Sequence, residues 1–88
     1  MSESTDDFLS NLRSLDHLDN RDEGMILLLE RMLKKDPQRI RLVTEEFNRS
    51  NDEDVKGILA ALIVKYSKEK KYRDYLIDNH GWETADFE

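Results

Sequence analysis

The sequence predicts an all-α fold of about five helices packed as antiparallel hairpins. Three observations carry this. Every patterned segment repeats its apolar residues at helical spacing. Strand signals are missing: there is no alternating run rich in Val, Thr or Ile, and no Asn-Gly or Asp-Gly pair marks a hairpin. Helix start signals also recur along the chain, each followed by an apolar stripe.

The first helix is expected from about Thr5 to Leu18. Ser4 or Thr5 can cap it, and Asp6 and Asp7 fall in the first turn, where the helix dipole favours anions. Phe8, Leu12 and Leu15 share one face, widened by Leu9. The second helix is expected from Arg21 to Lys35. Asn20 and Glu23 have capping-box spacing, and Met25, Leu28, Leu29, Met32 and Leu33 form the stripe, broadened by Ile26 and Leu27. The third begins at Asp36-Pro37, with Asp as cap and Pro where its missing N–H costs nothing, and runs to Arg49 with Ile40, Val43 and Phe47 inward. The short break predicts that helices two and three form an αα-hairpin. The fourth spans Asn51 to Tyr66 behind Ser50 and Glu53. Its stripe of Val55, Ile58, Leu59, Leu62, Ile63 and Tyr66 marks it as the central helix. Gly57 inside it costs about 1 kcal/mol against Ala, which points to a close crossing. The fifth runs from Lys68 to Asn79 with Tyr72, Tyr75 and Leu76 inward and Gly81 as its left-handed end.

Helices two and four align at an offset of 30: Asn20 with Ser50, Glu23 with Glu53, and the two stripes position by position. The stretch Asp52-Glu53-Asp54-Val55-Lys56-Gly57-Ile58-Leu59-Ala60-Ala61-Leu62 resembles the second helix of a HEAT repeat. The resemblance covers about a dozen residues; it implies stacked helical hairpins and carries no function. A short HEAT-like solenoid fragment and a compact irregular bundle both remain open.

The 88 residues are expected to form one domain, with residues 1–3 frayed and residues 82–88 an acidic-aromatic tail. Leu, Ile, Val and Phe make up about 26% of the chain, enough to fold despite 39% charged residues. There is no Cys, which removes disulfides, thiolate zinc sites and a Cys nucleophile. His17 stands beside Asp16 at the wrong spacing for a metal site, and adjacent Glu45 and Glu46 diverge by about 100° on a helix. No Gly-rich phosphate loop, nucleophile elbow or paired-His motif occurs. We therefore expect no enzyme activity, no cofactor and no metal. The longest apolar run is Met25 to Leu29, too short for a membrane span or a leader, so a cytoplasmic protein is expected.

Charge alternates in blocks, with a net of -6. Acids open helices one, two and four and bases close helices two and four, as the dipole rewards. The expected function is a small protein–protein interaction module: an adaptor, an inhibitor or an immunity- or antitoxin-like binder of another protein, with a homodimer as a further form. Its candidate contacts are Ile26, Leu27 and Val64, at the edges of the apolar arcs, and Trp82 and Phe87 in the tail. The alternative is nucleic-acid binding through two basic clusters. The first holds Arg31, Lys34, Lys35, Arg39 and Arg41; the second holds Lys65, Lys68, Lys70, Lys71 and Arg73. Overall acidity makes nucleic acid the lesser partner.

Overall fold

A computed structural model describes residues 5–17, 19 and 21–87. The expected fraying of residues 1–3, the cap at Ser4, the helix end at Leu18 and the cap at Asn20 fall outside these residues. Among them there are five α-helices and no strand: α1 (Thr5–Arg13), α2 (Glu23–Lys35), α3 (Ile40–Arg49), α4 (Glu53–Ile63) and α5 (Lys70–His80). The all-α class read from the sequence is the observed one.

The helix ends show where local chemistry decided the boundaries. The first helix stops at Arg13 because the Ser14 hydroxyl donates to the Asn11 carbonyl at 2.6 Å; the chain tightens into a 3-10 turn over Ser14–Asp16 and leaves it extended at His17. The cap of α2 is Asp22, accepting from the Met25 N–H at 2.8 Å. That of α4 is Asp52, accepting from Asp54 and Val55, so Ser50 does not cap it. The two caps are again 30 residues apart. Asp36 accepts from the Gln38 N–H, Pro37 opens a 3-10 turn over Pro37–Arg39, and α3 follows without a break. Gly81 ends α5 at φ 70°, and the Gly81 and Trp82 N–H groups both donate to the Leu76 carbonyl.

The core takes one stripe from each helix. Phe8, Leu12 and Leu15 meet Leu29, Met32 and Leu33; Val43 and Phe47 meet Val55, Leu59, Ala60, Leu62 and Ile63; Tyr72 and Leu76 close the far side. Phe47 packs edge-on against both Tyr72 and Tyr75, with ring centroids 5.2 and 5.0 Å apart. The close helix pairings are α3 with α4 and α4 with α5, so α4 is central as expected, while α1 lies against α2 and α3. The second helix therefore pairs more closely with α1 than with α3. The expected hairpin of helices two and three is not the counterpart of the α4–α5 pair, which leaves the 30-residue offset as a match of caps and stripes rather than of packing. The radius of gyration is 12.5 Å, which is that of a compact chain of this length.

Candidate functional site

The second helix has five consecutive apolar residues, Met25 to Leu29, and a helix cannot bury all of them against one neighbour. Leu29 goes to the core with Met32 and Leu33, and Met25 and Ile26 are half-buried beside it. Leu27 is 53% exposed and Leu28 37%. Leu28 was expected inside the stripe; its place in a five-residue run puts it at the stripe's edge. Tyr66 was also expected inward. After Ile63 the chain turns, with the Tyr66 and Ser67 N–H groups both donating to the Ile63 carbonyl, and this carries the ring to the surface.

Four residues apart on one face of α2, Glu23, Leu27 and Arg31 form a row. The neighbouring row is Ile26, Glu30 and Lys34. Between them the surface dips twice: a hollow of about 300 Å³ lined by Glu23, Ile26 and Leu27, and one of about 380 Å³ lined by Leu27, Glu30, Arg31, Lys34, Lys65 and Tyr66. The Lys65 ammonium pairs with the Glu30 carboxylate, tying the end of α4 to α2. Glu23, Arg31 and Lys34 make no ion pair among the described residues.

A wider cleft of about 520 Å³ opens elsewhere, lined by Arg21, Asp54, Gly57, Ile58, Leu76, His80 and Trp82. Its arginine is fully committed. The Arg21 guanidinium donates to the Leu15 carbonyl and the Asp52 carboxylate, each at 2.6 Å, reaches the Asp16 carbonyl at 3.4 Å, and lies 3.7 Å from Asp54. It holds the 3-10 turn after α1 to the start of α4, and its hydrogen bond keeps the Asp52 carboxyl below the ordinary carboxylate range. Nearby, the Tyr75 hydroxyl donates to the Glu53 carboxylate, and His80 Nε2 lies 3.4 Å from that hydroxyl. Burial, then the hydrogen bond and charge of Glu53, push Tyr75 up to about 12. At neutral pH this phenol is a proton donor to a fixed acceptor and neither a nucleophile nor a base. No group of three or more metal-ligating side chains occurs among the described residues.

The structure separates the expected contact residues. Ile26 and Leu27 belong to the α2 face. Val64 is half-buried at the core's edge. The Trp82 and Phe87 rings lie against each other, tilted, with centroids 5.4 Å apart, and pack on the core, and the Arg73 guanidinium covers the Phe87 ring at 5.4 Å, so neither aromatic stands free. The basic clusters are dispersed as well. Arg39 is turned inward, with its guanidinium 5.7 Å from the Phe8 ring centre and Nη1 donating to the Met32 carbonyl. Lys70 lies 4.0 Å from Asp74, and Lys71 stands over Tyr72. Arg31, Lys34, Lys35, Arg41 and Lys68 are exposed. The Arg21–Asp52 and Tyr75–Glu53 contacts had no local sequence signal, since they join residues 31 and 22 positions apart in the chain.

No family model, curated protein or solved structure matches this chain.

Proposed function

We propose that the chain is a non-catalytic protein-interaction module that binds another protein chain through the outer face of α2. The observation that carries this is the row Glu23–Leu27–Arg31. A leucine more than half exposed, with Leu28 beside it, stands between two hollows and is flanked by charges that have no partner within the described residues. A single exposed leucine needs no explanation, but an apolar row with adjacent grooves and a polar rim has the anatomy of a binding surface. The non-catalytic half rests on the larger cleft, whose arginine is already held by carboxylates, and on the neighbouring Tyr75 phenol, which is held by Glu53. The nucleic-acid alternative loses support with Arg39 turned into the core and Arg73 laid over Phe87.

Photo-crosslinking tests this reading. A photoreactive amino acid in place of Leu27 should give a covalent protein adduct in cells, and the same group in place of exposed Glu45 on α3 should give none. No adduct from position 27, or equal adducts from both positions, would remove the α2 face as a binding surface.

A further inference from the structure

We infer that the outer face of α2 receives a second copy of this chain, packed antiparallel about a two-fold axis at Leu27. The inference rests on the reading of that face as an interaction surface and names its partner.

In a two-fold contact, residue i meets residue j and j meets i, so the surface must complement itself. An axis at Leu27 sets positions equally distant from it against each other. Glu23 lies four residues before Leu27 and Arg31 four after, so each Glu23 faces the other copy's Arg31. The match extends along the helix. Asp22 and Glu23 sit at its N-terminal end, with exposed Asp19 just before it; Arg31, Lys34 and Lys35 sit at its C-terminal end. Antiparallel pairing brings the acidic end of one copy onto the basic end of the other. A parallel arrangement would set Glu23 against Glu23 and Arg31 against Arg31.

The relief of the surface fits the same arrangement. Residues 23, 27 and 31 are one i±4 row, the kind of ridge that interdigitates in the commonest class of helix packing. The two hollows lie along one side of that ridge. A second copy's ridge entering this groove seats its Leu27 beside Leu27 and Ile26. It also brings its Glu23 over the second hollow, where Lys65 is neutralised by Glu30 and Arg31 and Lys34 are left to answer it. An unrelated acidic helix would answer Arg31 and Lys34 but would leave Glu23 facing like charge. The copy answers both ends.

The contact is one short helix against another, so association in the micromolar range or weaker is expected. Sedimentation equilibrium of the full chain over about a hundredfold concentration range, reaching roughly 1 mM, measures it. The wild type should form a dimer. Glu23→Lys and Arg31→Glu should each weaken it by about tenfold, since symmetry counts each opposed pair twice. The double variant should restore it, because the charges are then exchanged. An equimolar mixture of the two single variants should associate as well as the wild type, since every opposed pair in the mixed dimer is again of unlike charge. Leu27→Asp, which leaves the charges at the helix ends intact, should give a monomer with unchanged helicity. A wild type that stays monomeric at the highest concentration overturns the inference, as does a double variant no better than the single ones. A monomer whose photoreactive Leu27 position still captures a different protein assigns the face to that protein, which sinks the self-pairing and leaves the interaction module standing.

Discussion

The His80 imidazole, from the last turn of α5, lies over Gly57 in the middle of α4: a Cβ at Gly57 would meet His80 Cε1 at 2.6 Å and Nε2 at 2.8 Å. The glycine is the site of close approach that its helix-interior position suggested, and the neighbour is a ring rather than a backbone. Alanine there should gain about 1 kcal/mol of helix propensity and lose a similar amount by expelling the ring from its place against Tyr75. Gly57→Ala alone should therefore be nearly neutral in urea unfolding. In a His80→Ala background the same change should stabilise by about 1 kcal/mol. Equal stabilisation in both backgrounds would show that the ring yields freely and that this packing fixes nothing.

Leu62 and Leu27 look alike in sequence, each a leucine in an apolar helical stretch, yet Leu62 is 1% exposed and Leu27 is 53%. Leu62→Ala should cost about 2–5 kcal/mol, the cost of a buried large-to-small change, and Leu59→Ala the same. Against a total stability of about 5–15 kcal/mol, either change could unfold much of the population. Leu27→Ala should change monomer stability by less than about 0.5 kcal/mol. Urea unfolding of the three variants checks the ranking. A Leu62→Ala cost near that of Leu27→Ala would mean that α4 is not the centre of the core.

That contrast also marks how far the sequence could be read. Helical period placed Phe8, Leu12, Leu15, Val43, Phe47, Leu59 and Leu62 inside, and all are buried. It failed where a stripe was too wide to choose a side, as at Leu28, or where a turn interrupted the period, as at Tyr66. The cap residues were shifted by two because Asn20, Asp22, Ser50 and Asp52 are all competent N-caps, and spacing to Glu23 and Glu53 favoured the first of each pair. The candidate binding face was legible in part. Ile26 and Leu27 belonged to an arc wider than one neighbour can cover, whereas its Tyr66 rim and Lys65–Glu30 tie come from residues that only folding brings together.

Tyr75 gives the fold a dependence on alkaline pH. Its value of about 12 in the folded chain lies above the ordinary 10, so the folded state binds the phenolic proton more tightly than the unfolded state. The contribution is complete below about pH 10 and is lost as pH rises through about 12. Phenolate absorbance should show one tyrosine titrating near the top of this window, and Tyr75→Phe should remove that step. Tyr75→Phe should also leave the stability of the variant flatter between these pH values than that of the wild type. An unchanged titration in Tyr75→Phe would assign the late phenol to Tyr66 or Tyr72 and break the link to Glu53.

The tail from Trp82 to Phe87 should open before the rest of the domain. Its turn is held by the Glu83 N–H donating to the Asp86 carboxylate at 2.7 Å and by the Asp86 N–H donating to the Glu83 carbonyl at 2.9 Å. The Trp82–Phe87 ring pair closes the tail on itself, and the Arg73–Phe87 contact fastens it to α5. Such an aromatic pair contributes about 0.5–1.5 kcal/mol and an exposed cation–π contact about 0.5–1. Ordering a backbone costs about 1–2 kcal/mol for each residue fixed, which over this segment exceeds what the ring contacts return, so these contacts hold it weakly and it opens readily. Trp82 is the only tryptophan in the chain, which makes its fluorescence a report on this segment alone. Phe87→Ala removes both ring contacts at once and should shift Trp82 emission toward that of a water-exposed indole, with helicity by circular dichroism unchanged. Arg73→Ala should produce a smaller shift in the same direction. If Phe87→Ala leaves the emission where it was, Trp82 is held by its own packing beside Ile58 and Leu76, and the ring pair does not close the tail.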